Sequence, residues 1–181
     1  ARLLRDLASS ACEPLLAIPT VPIAVVMTAY EDQSAFQRPV GGFGFLVPGN
    51  ERLGVLGTLF CHDIFRVHAP ADGLFLRTMI GGARDPAAVD LDDREILDRT
   101  RLALLDVLGA DPEPDKVWIV RWQEGISQYT LGHLDRVIAA ERAAAAAGVE
   151  LAGSPYRGVS VNDCIKQARA AARRIASRLT Q

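Results

Sequence analysis

Residues 151–165 read LAGSPYRGVSVNDCI, and the fold turns on how this stretch is read. The mostly apolar run 149–152 reads as a short strand that breaks at Gly153. Ser154, Pro155, Tyr156, Arg157 and Gly158 follow as a turn. Ser160 and Asn162 offer N-cap oxygens, Asp163 stands three residues after Ser160, and the pattern beyond predicts a helix to about Leu179 with Ile165, Ala168, Ala172, Ile175 and Leu179 as its core stripe. A strand that reaches a helix N-terminus through small residues presents unpaired N–H groups and about half a positive charge. That end suits an electron-rich oxygen or an anion. Glycine-containing corners of this shape are common, so geometry alone weighs a structural corner and a binding corner equally.

Outward from the corner, Gly148 closes a helix over 134–147, and QYTLGH (128–133) is irregular. Residues 116–122 (KVWIVRW) alternate as a strand. Asp90 or Asp92 caps a helix on which Ile96, Leu97, Leu102, Leu105 and Leu108 recur at helical intervals, ending near Gly109. Upstream the pattern is β. Residues 23–30 (IAVVMTAY) are nearly continuously apolar. GGFGFLVPG sets Phe43, Phe45 and Val47 on one side of a strand and Gly44 and Leu46 on the other. Residues 54–60 return antiparallel to it, and 73–81 add another strand. The expected sheet has three to five strands. At the start, Leu3, Leu4 and Leu7 share one face of a short helix, ahead of Pro14, Pro19 and Pro22. The class is α+β: a mixed or antiparallel sheet with packed helices, strands first and helices mostly later.

The 181 residues are 49% hydrophobic and 23% charged, which is a globular composition. A net charge of −2 gives no electrostatic footprint for nucleic acid or for an anionic membrane. Cys12, Cys61 and Cys164 lack metal-ligand spacing and suggest reduced thiols in a cytoplasmic setting. No run approaches the ~20 apolar residues of a membrane span, while peripheral membrane contact stays open. Neighbours on a strand point to opposite faces, so Cys61, His62 and Asp63 are not expected to converge on a metal ion. His68 is expected in solvent and His133 in a capping or loop-locking hydrogen bond. No residue is assigned a catalytic role.

The wording of the corner is more specific than its geometry. LAGSPYRGVSVNDCI, GFGFLVPG from Gly42, TMIGGARDP from Thr78 and QYTLGHLDR from Gln128 together resemble the protoporphyrinogen/coproporphyrinogen oxidases, FAD enzymes of haem synthesis in the monoamine-oxidase-like superfamily. The resemblance covers essentially the whole chain but only the C-terminal portion of such an enzyme. The glycine-rich ADP-binding motif at the start of the family is missing, and an N-terminal FAD-binding half or subunit is the implied partner.

The resemblance implies an oxidase that removes hydride from the methylene bridges of a porphyrinogen to flavin, with oxygen as electron acceptor. It implies substrate contacts at Phe43, Gly44, Leu46, Leu59 and Met79. It implies FAD contacts at Trp122, Gly153, Val159, Ser160 and Val161, with the C-terminal strand–helix of a Rossmann-like domain beneath them. On this reading residues 1–121 belong to the substrate domain and 122–181 to the FAD-contacting segment. The isolated chain is expected to be inactive, and a homo-oligomer stays open. A bulky residue at Gly44 is expected to obstruct the macrocycle with little loss of fold. The alternatives are another amine oxidase or desaturase of the superfamily, and a non-catalytic tetrapyrrole-binding domain.

Overall fold

The computed structural model describes residues 4–32, 34, 36–65, 67, 73–109 and 113–180, so His68 lies outside the described residues. The chain divides into two compact units, Val21–Gly125 and a second made of Ala1–Thr20 with Ile126–Gln181.

The first unit is built on one sheet. Its strands are β1 (Thr20–Tyr30), β2 (Gly44–Leu46), β3 (Gly57–Phe60), β4 (Leu74–Gly81) and β5 (Lys116–Ser127), in the order β2-β3-β4-β1-β5. β2 with β3, β3 with β4, and β4 with β1 all pair antiparallel. Alternation decides the two faces. Leu74, Leu76, Thr78 and Ile80 of β4 are buried, as are Ala24, Val26, Thr28 and Tyr30 of β1. Buried threonine hydroxyls need partners, and the cross-strand pair Thr58 and Thr78 supplies one, with their hydroxyls 2.9 Å apart. β5 runs five residues past the expected end at Trp122. Gln123, Glu124 and Gly125 break the apolar alternation, but an edge strand is wet enough to carry them.

Helix α3 (Asp93–Leu108) packs on the buried face. It opens with a reciprocal capping box between Asp92 and Glu95 and closes at Gly109 in the left-handed region, φ 78°. Its contact face keeps Ile96 and Leu108 of the stripe expected from spacing but not Leu102 and Leu105. Ile96, Thr100, Ala103, Leu104 and Leu108 are buried, whereas Leu102 and Leu105 are exposed. Small side chains at 100 and 103 let the helix lie close to the sheet, with Leu104 and Leu108 beside them and Leu102 and Leu105 turned outward. Cys61–Ile64 forms a single helical turn, α2, rather than a continuation of β3. The His62 Nε2–H donates to the Val40 carbonyl at 3.0 Å, and Nδ1 faces the Phe75 backbone at 3.4 Å.

The second unit holds α1 (Ser9–Leu16), α4 (His133–Ala146) and α5 (Val161–Leu179). α1 begins later than the leucines suggested and carries Pro14 inside it. Ala8, Ala11 and Ala144 are small enough for α1 and α4 to touch, and Leu4, Leu15, Val149 and Leu151 fill around them. Residues 149–152 pair with no strand among the described residues. The Val149 N–H instead closes the end of α4 by donating to the Ala144 carbonyl at 2.9 Å. The apolar stripe of α5 is also corrected by the structure. Ile165, Ile175 and Leu179, expected in the core, are exposed, and the buried residue is Ala171.

Candidate functional site

In the second unit the corner is held by Tyr129, before α4, and by His133, the first residue of α4. The Tyr129 hydroxyl donates to the Ser154 carbonyl at 2.6 Å and accepts the Gly158 N–H at 2.9 Å. The His133 Nε2–H donates to the Tyr156 carbonyl at 2.8 Å, and its ring stacks on Tyr129 with centroids 3.8 Å apart. His133 is thus a loop-locking residue. Arg157, assigned no role from sequence, makes a two-pronged ion pair with Glu141 at 2.8 and 2.6 Å. That pairing holds the Glu141 carboxyl below its usual range.

The corner leads into α5 through a second reciprocal capping box. The Ser160 hydroxyl accepts the Asp163 N–H at 3.0 Å, and the Asp163 carboxylate accepts from the Ser160 hydroxyl at 2.6 Å. Gly158, φ 133°, leaves the room this needs, since a Cβ there would lie 2.6 Å from the Asp163 carboxyl. Among the described residues, no acceptor meets the N–H groups of Val161 and Asn162, the first two of the helix. Val159 and Val161 project beside them, 64% and 76% exposed. At Gly153, φ 140°, a Cβ would meet nothing nearer than Pro155 at 3.5 Å, so backbone conformation rather than crowding calls for glycine.

In the first unit, register gathers four of the five expected substrate residues. Gly44 stands opposite Leu59, Leu59 opposite Arg77, and Arg77 opposite Met27, one row across four strands. The adjacent row is Leu46, Gly57, Met79 and Val25. Both rows lie on the face turned away from α3, where Leu46 is 78% exposed. Phe43 precedes β2 and shares the side of Phe45 by alternation, yet it is 71% exposed. Trp122 stands 57% exposed on β5 in phase with Trp118, and the Trp118 ring meets Phe75 edge-on at 6.1 Å. Trp122 therefore belongs to the sheet unit, while Gly153, Val159, Ser160 and Val161 belong to the helical one.

Gly44 has a structural reason that sequence reading missed. Its φ is 131°, and a Cβ would sit 2.1 Å from the Thr58 carbonyl oxygen. The expectation that a bulky residue there would spare the fold is therefore wrong. The sequence reading also passed over Arg77. It is exposed on the open face between Leu59 and Met27, and no described residue accepts a hydrogen bond from it or forms an ion pair with it. Its field is felt at Cys61, where burial pushes the thiol up and the guanidinium pulls it back. Alternation on 73–81 could have exposed Arg77 as the one charge on its face of the strand.

A family model of flavin containing amine oxidoreductases matches residues 2–176. The chain belongs to that family. Among its relatives, the coproporphyrinogen III oxidase of Bacillus subtilis (strain 168) is 32% identical over 141 residues, covering 77% of this chain and 30% of that protein. The human protoporphyrinogen oxidase is 34% identical over 165 residues, covering 87% of this chain and 34% of that protein. A crystal structure of a candidate protoporphyrinogen oxidase from Exiguobacterium sp. 255-15 superposes with a TM-score of 0.82 at 26% identity, over 99% of this chain and 39% of that one. The chain thus spans about a third of the length of the relatives it matches.

The corner fits the family's flavin cofactor on its own geometry. Two unpaired N–H donors at a helix N-terminus, flanked by exposed valines, match an oxygen-bearing edge set in a flat apolar ring. Val159, Ser160 and Val161 would hold that edge, and Gly153 would let the backbone approach the rest. Among the described residues, no cluster of three or more His, Cys, Asp or Glu could hold a metal ion, and no helix is long and apolar enough to cross a membrane.

Proposed function

We propose that this chain is the substrate-facing and flavin-contacting portion of an FAD-dependent oxidase that converts a porphyrinogen, protoporphyrinogen IX or coproporphyrinogen III, to the porphyrin of haem synthesis. The observation that carries the reading is the pair of rows on the open sheet face. A porphyrinogen is a broad, mostly apolar ring, and Leu46, Leu59 and Met79 make a broad apolar floor of matching character. Gly44 keeps the β2 end of the floor flat, and Phe43, exposed just before β2, would have to reach the ring from the strand's end. The relatives named as porphyrinogen oxidases support the same substrate class.

Bound FAD supplies the hydride acceptor. The chain's own contribution is positional. The clasp of Tyr129 and His133 fixes the corner, the capping box fixes the start of α5, and the free N–H groups of Val161 and Asn162 stay aimed outward, where they favour negative charge. Trp122 offers an aromatic face for the flavin. Gly153, Val159, Ser160 and Val161 touch only one end of so long a cofactor, and residues outside this chain would hold the adenosine end. The working unit on this reading is cytoplasmic, with peripheral membrane contact as a further option.

The test is complementation. FAD is titrated into the 181-residue chain by calorimetry, with and without an N-terminal FAD-binding half supplied as a second polypeptide. Growth of porphyrin fluorescence is then followed from each porphyrinogen under oxygen. The chain alone should neither take up FAD tightly nor turn over, and the complex should do both. Stoichiometric FAD uptake and turnover by the chain alone would remove the partner half from the proposal. An FAD-loaded complex that leaves both porphyrinogens unoxidised would remove the reaction.

A further inference from the structure

We propose that Arg77 is the residue of this chain that binds a carboxylate of the macrocycle, and so fixes how the ring lies on the sheet. The inference rests on the reading of the open face as the macrocycle floor, and adds a polar anchor to it. Arg77 is the only charged residue in the two rows Gly44–Leu59–Arg77–Met27 and Leu46–Gly57–Met79–Val25. Arg121, the other arginine borne by a strand, donates to the carbonyls of Val89 and Leu91 at 3.0 and 2.8 Å and pairs with Asp93 at 2.7 Å. Arg77 has no such partner among the described residues, so its planar fork of donors is available.

A guanidinium amid apolar neighbours is useful to a ligand that is apolar in the middle and anionic at the rim. Leu59 and Met27 take up the ring surface, and the fork takes up one carboxylate with two parallel N–H···O bonds. A neutral apolar ligand would gain nothing from Arg77, and a small anion would gain nothing from the floor. Lys116 heads β5 in phase with Trp118 and is the nearest comparison, a cation at the border of the same face. Arginine at the centre and lysine at the border make separable predictions.

Coproporphyrin III and its tetramethyl ester are titrated against the parent chain, Arg77→Gln, Arg77→Lys and Lys116→Gln, reading quenching of Trp118 and Trp122. Circular dichroism checks that each variant is folded. The free acid should bind the parent ~10-fold more tightly than the ester, the scale of one charge-assisted hydrogen bond. Arg77→Gln should close that gap to within about twofold, Arg77→Lys should retain part of it, and Lys116→Gln should leave it intact. If the parent shows no gap, or the gap survives Arg77→Gln or falls equally in Lys116→Gln, the assignment of Arg77 is overturned while the macrocycle floor stands. If neither acid nor ester binds the folded parent, the floor and its anchor fall together.

Discussion

Gly44 and Leu46 sit two residues apart on one face of β2, and the structure asks opposite things of them. A methyl group at Gly44 has nowhere to go, because it meets the Thr58 carbonyl oxygen at 2.1 Å with the backbone at φ 131°. Gly44→Ala should therefore cost about 2–4 kcal/mol of folding stability through strain and crowding. Urea unfolding measures it, and a loss within experimental error would show that β2 moves aside freely. Leu46 is exposed, so Leu46→Ala should change stability by no more than ~0.5 kcal/mol while weakening porphyrin binding severalfold. Unchanged binding by fluorescence quenching would take Leu46 out of the floor. The residue that probes the pocket without disturbing the fold is Leu46 rather than Gly44.

The elements around the corner carry two further expectations. Tyr129→Phe deletes the hydroxyl that accepts the Gly158 N–H and donates to the Ser154 carbonyl, about 1–2 kcal/mol for the two bonds. Amide exchange at Gly158 should speed up while exchange along β4 does not. Equal exchange at Gly158 in both proteins would show that the corner is held without the clasp. The second expectation concerns pH. The Ser160 hydroxyl, hydrogen-bonded to Asp163, holds that carboxyl below its ordinary value of 3.8. A group depressed on folding stabilises above its unfolded value, and the contribution is lost as pH falls through the lower folded one. The start of α5 should therefore stay capped near the ordinary value and fray only below it, followed by the Ser160 and Asp163 amide signals. Asp163→Asn should abolish the acid transition, and titration of Asp163 at or above 3.8 would contradict the cap as its cause.

At the scale of the whole chain, exposed apolar side chains sit on one face of a sheet and on one stripe of a helix. Leu46, Trp118, Val120 and Trp122 stand out from the sheet, and Ile165, Ile175 and Leu179 from α5. An exposed apolar patch beyond a few hundred Å² favours association. The isolated chain should therefore self-associate at micromolar concentration, and charges placed by Leu46→Glu with Trp122→Glu should shift it towards monomer in sedimentation velocity. A parent that sediments as a single monomer at every concentration would show these surfaces to be tolerated in water.

Local signals were legible without a structure. The capping pair Ser160 and Asp163, the cap at Asp90 or Asp92 with the stop at Gly109, and the strand signals on 23–30 and 73–81 each depend on neighbours within a few residues. Sequence also determined the family, because four short motifs in order carry more information than composition. Which face of each element would be covered was decided by tertiary structure. On α3, Leu102 and Leu105 lost their place to Thr100 and Ala103, which permit a closer approach to the sheet. The stripe of α5 stayed outside because Ala171, not the isoleucines, is the residue its own unit buries. Register across four strands set Arg77 between Leu59 and Met27, residues 18 and 50 positions away in the chain. Pairing of that range is fixed by packing and loop closure together, which no local pattern encodes.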